Sequence, residues 1–126
     1  MINIKPLKAY TDNYIWLLET NEEVSVVDPG DAKPVLDYLS KTNKNIRDIF
    51  ITHHHFDHTA GVPELENIIS GSIYGPKNSY ELINEKVTQG DTLSSLGIKF
   101  EIIEVPGHTL DPVSYTHLRA HETRLN

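Results

Sequence analysis

The sequence predicts an α+β chain in which two β-sheets pack together and helices cover their outer faces. Two observations carry this. The short apolar runs that read as strands come in series, interrupted by helices rather than strictly alternating with them, which disfavours a doubly wound parallel sheet. In addition, the 126 residues contain no glycine-rich phosphate loop, no internal repeat and no low-complexity segment.

The elements follow in order. Ile2-Asn3-Ile4 and Tyr14 to Leu18 read as the first two strands, separated by a turn at Thr11-Asp12-Asn13. Tyr14 and Trp16 are expected in the core, where aromatic strand residues usually pack. Val24 to Val27 is a short apolar strand that stops at Asp28-Pro29-Gly30. A helix starts near Asp31, with Pro34 tolerated in its first turn, and Val35, Leu36 and Leu39 give it one apolar stripe. Ile49 to Thr52 is the next strand. Beyond His58, Val62, Leu65, Ile68 and Ile69 recur at helical spacing and predict a helix ended by Gly71. Ser72 to Tyr74 reads as a strand and Ser79 to Ile83 as a short helix. Leu93 to Leu96 and Ile98 to Val105 read as a hairpin through Gly97.

Composition narrows the function. The length fits one domain or part of one. Eleven basic against eighteen acidic residues, a formal charge of −7, argue against unaided nucleic-acid binding. The absence of cysteine excludes disulfide and thiolate chemistry. The N-terminus lacks the apolar core of a signal peptide, and no apolar run approaches membrane-spanning length. A cytoplasmic protein with no membrane partner is the expectation.

The chemistry is concentrated in Thr52-His53-His54-His55-Phe56-Asp57-His58. Neutral imidazole nitrogen and carboxylate oxygen are the donors of a borderline first-row cation, most often zinc. Alternate side chains of an extended segment point the same way, so His53 and His55 converge on one ion. A turn at Asp57-His58 aims that pair at a second ion, roughly 3.5–4 Å away as in two-metal hydrolases. His54 and Phe56 face away. Val105-Pro106-Gly107-His108-Thr109 ends another strand and offers His108 as the third imidazole for the first ion. Three histidines leave a coordination position open, as a catalytic zinc needs. Asp28, at a strand end, reads either as a carboxylate that orients a ligating histidine or as a helix-capping or turn aspartate. Thr52 and Thr109 are expected to tie down their loops.

These fragments resemble the metallo-β-lactamase superfamily, whose signature is T-H-x-H-x-D-H followed by G-H-T. Thr11-Asp12-Asn13-Tyr14-Ile15-Trp16, Val26-Val27-Asp28-Pro29-Gly30-Asp31-Ala32 and Tyr74-Gly75-Pro76 add a narrower resemblance to hydroxyacylglutathione hydrolases, also called glyoxalase II. The resemblance implies an αββα sandwich, of which the chain supplies the N-terminal half. It implies two zinc ions, with iron or manganese as alternatives. The first would be held by His53, His55 and His108 and the second by Asp57 and His58, with Asp57 also orienting the nucleophile. It implies hydrolysis of S-D-lactoylglutathione and similar glutathione thioesters, by a monomer, in methylglyoxal detoxification. The family's bridging aspartate, late histidine and glutathione-binding residues have no counterpart here, so the chain alone is expected to be inactive. A persulfide dioxygenase with one iron, or another hydrolase of the same fold, is the alternative.

Residues 1–110 carry that likeness. From residue 111 onward the sequence resembles a peptide translated from cloning-adaptor DNA and is expected to stand outside the native domain. Within it His117 and His121 are spaced like a helical zinc pair, but no glutamate lies between them, and they are read as unrelated to the site.

Overall fold

A computed structural model of the chain describes residues 3–9, 13–52, 56–77, 80–104, 113–117 and 124–125. The first sheet has six strands in sequential order: β1 (Asn3–Ala9), β2 (Asn13–Glu19), β3 (Glu23–Val27), β4 (Asn45–Phe50), β5 (Ile73–Pro76) and β6 (Glu85–Val87). Strands β1, β2 and β3 are joined antiparallel; β3, β4, β5 and β6 run parallel. The second sheet is antiparallel, in the order β10 (Arg124–Leu125), β9 (Val113–His117), β8 (Ile98–Glu104) and β7 (Thr92–Ser95).

Strand alternation divides the apolar residues between two cores. Ile15, Leu17, Val26, Ile49 and Ile51 face helix α1 (Ala32–Thr42) and α3 (Val62–Leu65), meeting Val35, Val62 and Leu65. Their neighbours Leu18, Val27 and Phe50 face the second sheet and meet Leu93, Phe100 and Ile102. The Phe50 ring lies 5.5 Å from Phe100 and 5.6 Å from Tyr74, centroid to centroid. Nearly every residue at the centre of the first sheet is therefore buried on one side or the other, as expected of parallel strands. The described layers are helix, sheet, sheet.

Helix α1 begins where Asp31 accepts a hydrogen bond from Lys33 N (3.0 Å) and ends at Asn43, left-handed at φ 58°. That end is ordinary C-cap chemistry, with the Asn43 N–H donating to the Leu39 carbonyl at 2.9 Å.

Several elements differ from the sequence reading. The single helix expected after His58 is two short ones, α2 (Phe56–Thr59) and α3, broken at Ala60-Gly61. The break is imposed by packing: the Gly61 N–H donates to the Pro29 carbonyl at 2.9 Å, and a Cβ there would stand 2.6 Å from that oxygen. Ile68, counted in the helical stripe, is 47% exposed. No helix forms over Tyr80–Ile83; an Ile83 N–H to Tyr80 carbonyl bond of 3.2 Å closes a turn instead. Strand β6 went unrecognised because its Glu85 and Lys86 are exposed and charged, as an edge strand permits. Tyr14 is not a core residue but is 53% exposed, while Trp16 packs against the inter-sheet core. Beyond residue 110, Val113–His117 pairs with β8, with His117 opposite Phe100.

Candidate metal centre

Because β3 and β4 are parallel, with Val27 beside Phe50, their carboxyl ends open on the same edge of the sheet. Asp28 follows one strand and Thr52 the other. Sites in α/β sheets collect at such ends.

Asp28 is the hub of this edge. It is 3% exposed and left-handed at φ 52°, a conformation uncommon outside glycine but tolerated by aspartate. Its own N–H donates to the Phe50 carbonyl at 2.8 Å, and its carbonyl accepts from the Gly30 N–H at 2.8 Å, closing a tight turn over Pro29. The side chain accepts the Thr52 N–H at 2.7 Å, the Thr52 hydroxyl, and His58 Nδ1 at 3.0 Å. Asp31, not Asp28, caps α1. Asp28 thus does not cap the helix; it closes the turn over Pro29 and also holds the His58 ring.

His58 is carried to Asp28 by α2, which Gly61 docks onto the Asp28-Pro29-Gly30 turn. A side chain at position 61 would also meet the Ala32 N at 2.6 Å, so only glycine allows this approach. Sequence reasoning did not single out Gly61; no local signal separates a packing glycine from a turn glycine.

Among the described residues, His58 is the candidate donor whose side chain is placed, and its chemistry suits a divalent cation. A carboxylate accepts, so the His58 ring donates through Nδ1; in its neutral form the ring then carries its lone pair on Nε2, the tautomer that a ligating imidazole requires. Buried carboxylate–imidazole pairs of this kind hold metal ligands in orientation. Asp57 lies on α2 beside His58; its side chain, together with His53, His55, His108 and Thr109, is outside the described residues. The structure therefore delivers the strand and helix that flank His53 and His55, and places His58. Strand β8 ends at Glu104, shortly before His108.

A six-stranded mixed sheet stacked on an antiparallel one, with a histidine–aspartate turn at a strand end, defines the class. The chain belongs to the metallo-β-lactamase superfamily, whose family pattern matches residues 11–121. It is 47% identical over 124 residues to the hydroxyacylglutathione hydrolase of Pseudoalteromonas translucida, covering 93% of this chain and 47% of that protein. It is 41% identical over 117 residues to the enzyme of that name from Idiomarina loihiensis, covering 90% and 46%. The chain thus spans about half the length of the relatives it matches. Among solved structures, BLEG-1, a B3 metallo-β-lactamase, superposes with a TM-score of 0.78 at 20% identity, over 91% of this chain and 67% of that one. ETHE1 from Myxococcus xanthus superposes with a TM-score of 0.74 at 24% identity, over 93% and 53%. These likenesses show the fold. No helix among the described residues is long and apolar enough to cross a membrane.

Proposed function

We propose that the chain is the N-terminal part of a zinc-dependent hydroxyacylglutathione hydrolase, cleaving a glutathione thioester into glutathione and a 2-hydroxy acid in the methylglyoxal detoxification pathway. The observation that carries the metal reading is the buried Asp28 carboxylate holding His58 by Nδ1. The substrate class rests on the relatives of that name at 40–47% identity.

In this reading His53, His55 and His108 hold one cation, and Asp57 and His58 a second. The pair of cations supplies a nucleophile at neutral pH and an electrophile for the thioester carbonyl. Asp28 fixes the tautomer and direction of the His58 ring, and Thr52 pins Asp28 by two hydrogen bonds. Asp57, at the start of the same helical turn, orients the attacking water. The overall reaction adds water across the C–S bond, giving a carboxylic acid and a thiol. A thiol of pKa about 8.5 leaves readily as the thiolate, so none of these residues has to act as a strong acid.

Metal analysis and a thioesterase assay on the full-length protein carrying this sequence test the proposal. Two zinc ions per chain with turnover of S-D-lactoylglutathione support it. A single iron with no thioesterase activity overturns it in favour of a dioxygenase. The 126 residues by themselves are proposed to be inactive, because they span only about half the length of their relatives; robust turnover by the purified chain contradicts that.

A further inference from the structure

The β1–β2 hairpin runs past the end of β3. Trp16 is paired with Val27, the last residue of β3. Strands β1 and β2 go on pairing beyond that point, Lys8 with Tyr14 and Ala9 with Asn13. Two residues of strand carry Tyr14 about 7 Å past Trp16. The hairpin therefore overhangs the edge at which Asp28 follows Val27 and holds the His58 ring. Residues opposite one another in an antiparallel pair share a face, and alternation then groups Ile4, Pro6 and Lys8 with Leu18, Trp16 and Tyr14. Ile4, Trp16 and Leu18 pack in the inter-sheet core. Lys8 and Tyr14 thus stand on the inter-sheet side, one step beyond the core.

Both side chains are exposed, Tyr14 at 53%. The Tyr14 ring lies 6.3 Å from that of Trp16, tilted by 38°, so aromatic surface continues from the core to the overhang. The other large apolar side chains left exposed among the described residues, Leu36 and Ile68, lie on α1 and after α3. An ammonium beside an aromatic face suits an anion with an apolar body. The lysine takes a carboxylate by charge-assisted hydrogen bonds, and the ring covers carbon and sulfur. A chain of formal charge −7 repels an anion at long range. A lysine over the edge of the site offsets that repulsion where the ligand arrives.

We propose that Lys8 and Tyr14 form one wall of the substrate site, Lys8 binding a carboxylate of the glutathione moiety and the Tyr14 ring packing on the chain that bears the sulfur. A glutathione thioester carries more carboxylates than ammonium groups, which suits the lysine. Its thioester sulfur and neighbouring carbons are apolar, which suits the ring. The two residues hold and select the substrate and take no part in breaking the C–S bond. The inference rests on the glutathione-thioester reading above and adds to it two residues of this chain that would meet the substrate.

The test is isothermal titration of the full-length protein carrying this sequence with S-methylglutathione, a thioether that cannot be hydrolysed. Lys8→Ala is expected to weaken binding about 5-fold, as for an exposed ion pair, and to flatten its dependence on salt. Tyr14→Ala is expected to weaken it about 5–10-fold, whereas Tyr14→Phe keeps the ring and the affinity. With S-D-lactoylglutathione the same two alanine variants raise KM and leave kcat unchanged. Lys41→Ala removes an exposed charge from the end of α1 and changes nothing. Because Lys8 and Tyr14 are exposed, urea unfolding of their variants stays at the wild-type midpoint. Unchanged affinity in Lys8→Ala and Tyr14→Ala, or an equal loss in Lys41→Ala, overturns the proposal. Failure of the hydrolase reading looks different: the wild type binds the thioether without turning over the thioester, and the variants still decide the wall. A wild type that does not bind the thioether overturns the wall at once.

Discussion

Glu19 and Asp28 are both nearly inaccessible carboxylates, at 2% and 3% exposure, yet they sit at opposite ends of the same sheet and are treated in opposite ways. Glu19 closes β2 beside Val24, at the sheet edge opposite Asp28. It is met by Lys5 at 2.9 Å, Lys44 at 2.8 Å and the Tyr38 hydroxyl. Burial alone would raise its pKa; hydrogen bonds from Lys44, Tyr38 and Lys5 outweigh it and hold Glu19 at about 2, below its ordinary 4.5. Asp28 is met by a backbone N–H, a hydroxyl and one imidazole, on a left-handed backbone. Neutralising a buried charge with lysines ties an edge down. Surrounding it with neutral donors and one histidine aims a ring. Backbone strain at the second site and its absence from the first fit that division.

The comparison breaks most sharply at Asp28. Asparagine tolerates the left-handed backbone, but its amide would donate to His58 Nδ1 and drive the ring proton to Nε2. Asp28→Asn is expected to weaken binding of the second cation by roughly 10–100-fold. Isothermal titration with zinc measures this, and an unchanged affinity would remove Asp28 from the site. Glu19→Gln, the matching change at the other end, leaves zinc affinity untouched and lowers stability by about 2 kcal/mol, read from urea unfolding.

Gly61→Ala tests how the helix is docked. Its Cβ would stand 2.6 Å from both the Pro29 carbonyl oxygen and the Ala32 nitrogen, so the backbone must shift. A loss of about 1–3 kcal/mol is expected, with weakened zinc binding through displacement of His58. Retention of both would show that the turn is soft.

Acid sharpens the distinction further. Because folding depresses the Glu19 pKa, its contribution is complete above about pH 4.5 and fades as pH falls toward 2. The stability difference between wild type and Glu19→Gln should therefore shrink across that window in acid-dependent unfolding. A difference that stays constant from neutral pH down to pH 2 would mean that the lysines do not act through its charge. The smallest effect belongs to Tyr14. At 53% exposure, Tyr14→Ala should change stability by less than about 0.5 kcal/mol; a larger loss in thermal unfolding would restore it to the core.

Much of this was legible beforehand because it was local. The strand before Thr52, the turn at Asp28-Pro29-Gly30, the α1 start at Asp31 and the β7–β8 hairpin all follow from apolar runs and turn residues read in short windows. The break between α2 and α3 was not, since it depends on a carbonyl far away in sequence. Nor were the hydrogen bonds that join Ser25 and Asp48 to Ser95, which form only when the sheets stack. Tyr14 misled because alternation puts it on the inward face, while its place at the end of β2 leaves it beyond the second sheet's cover.

By itself the sequence determined the superfamily and the strand and helix that flank the histidine-rich segment, because these are properties of residue chemistry and spacing along the chain. Tertiary structure decided that Asp28 holds the His58 ring, why position 61 must be glycine, and how Ser95 of one sheet meets Asp48 of the other. Those answers depend on atoms that approach within hydrogen-bond distance only after β3, β4 and β7 are packed, and no pattern along the chain encodes such distances.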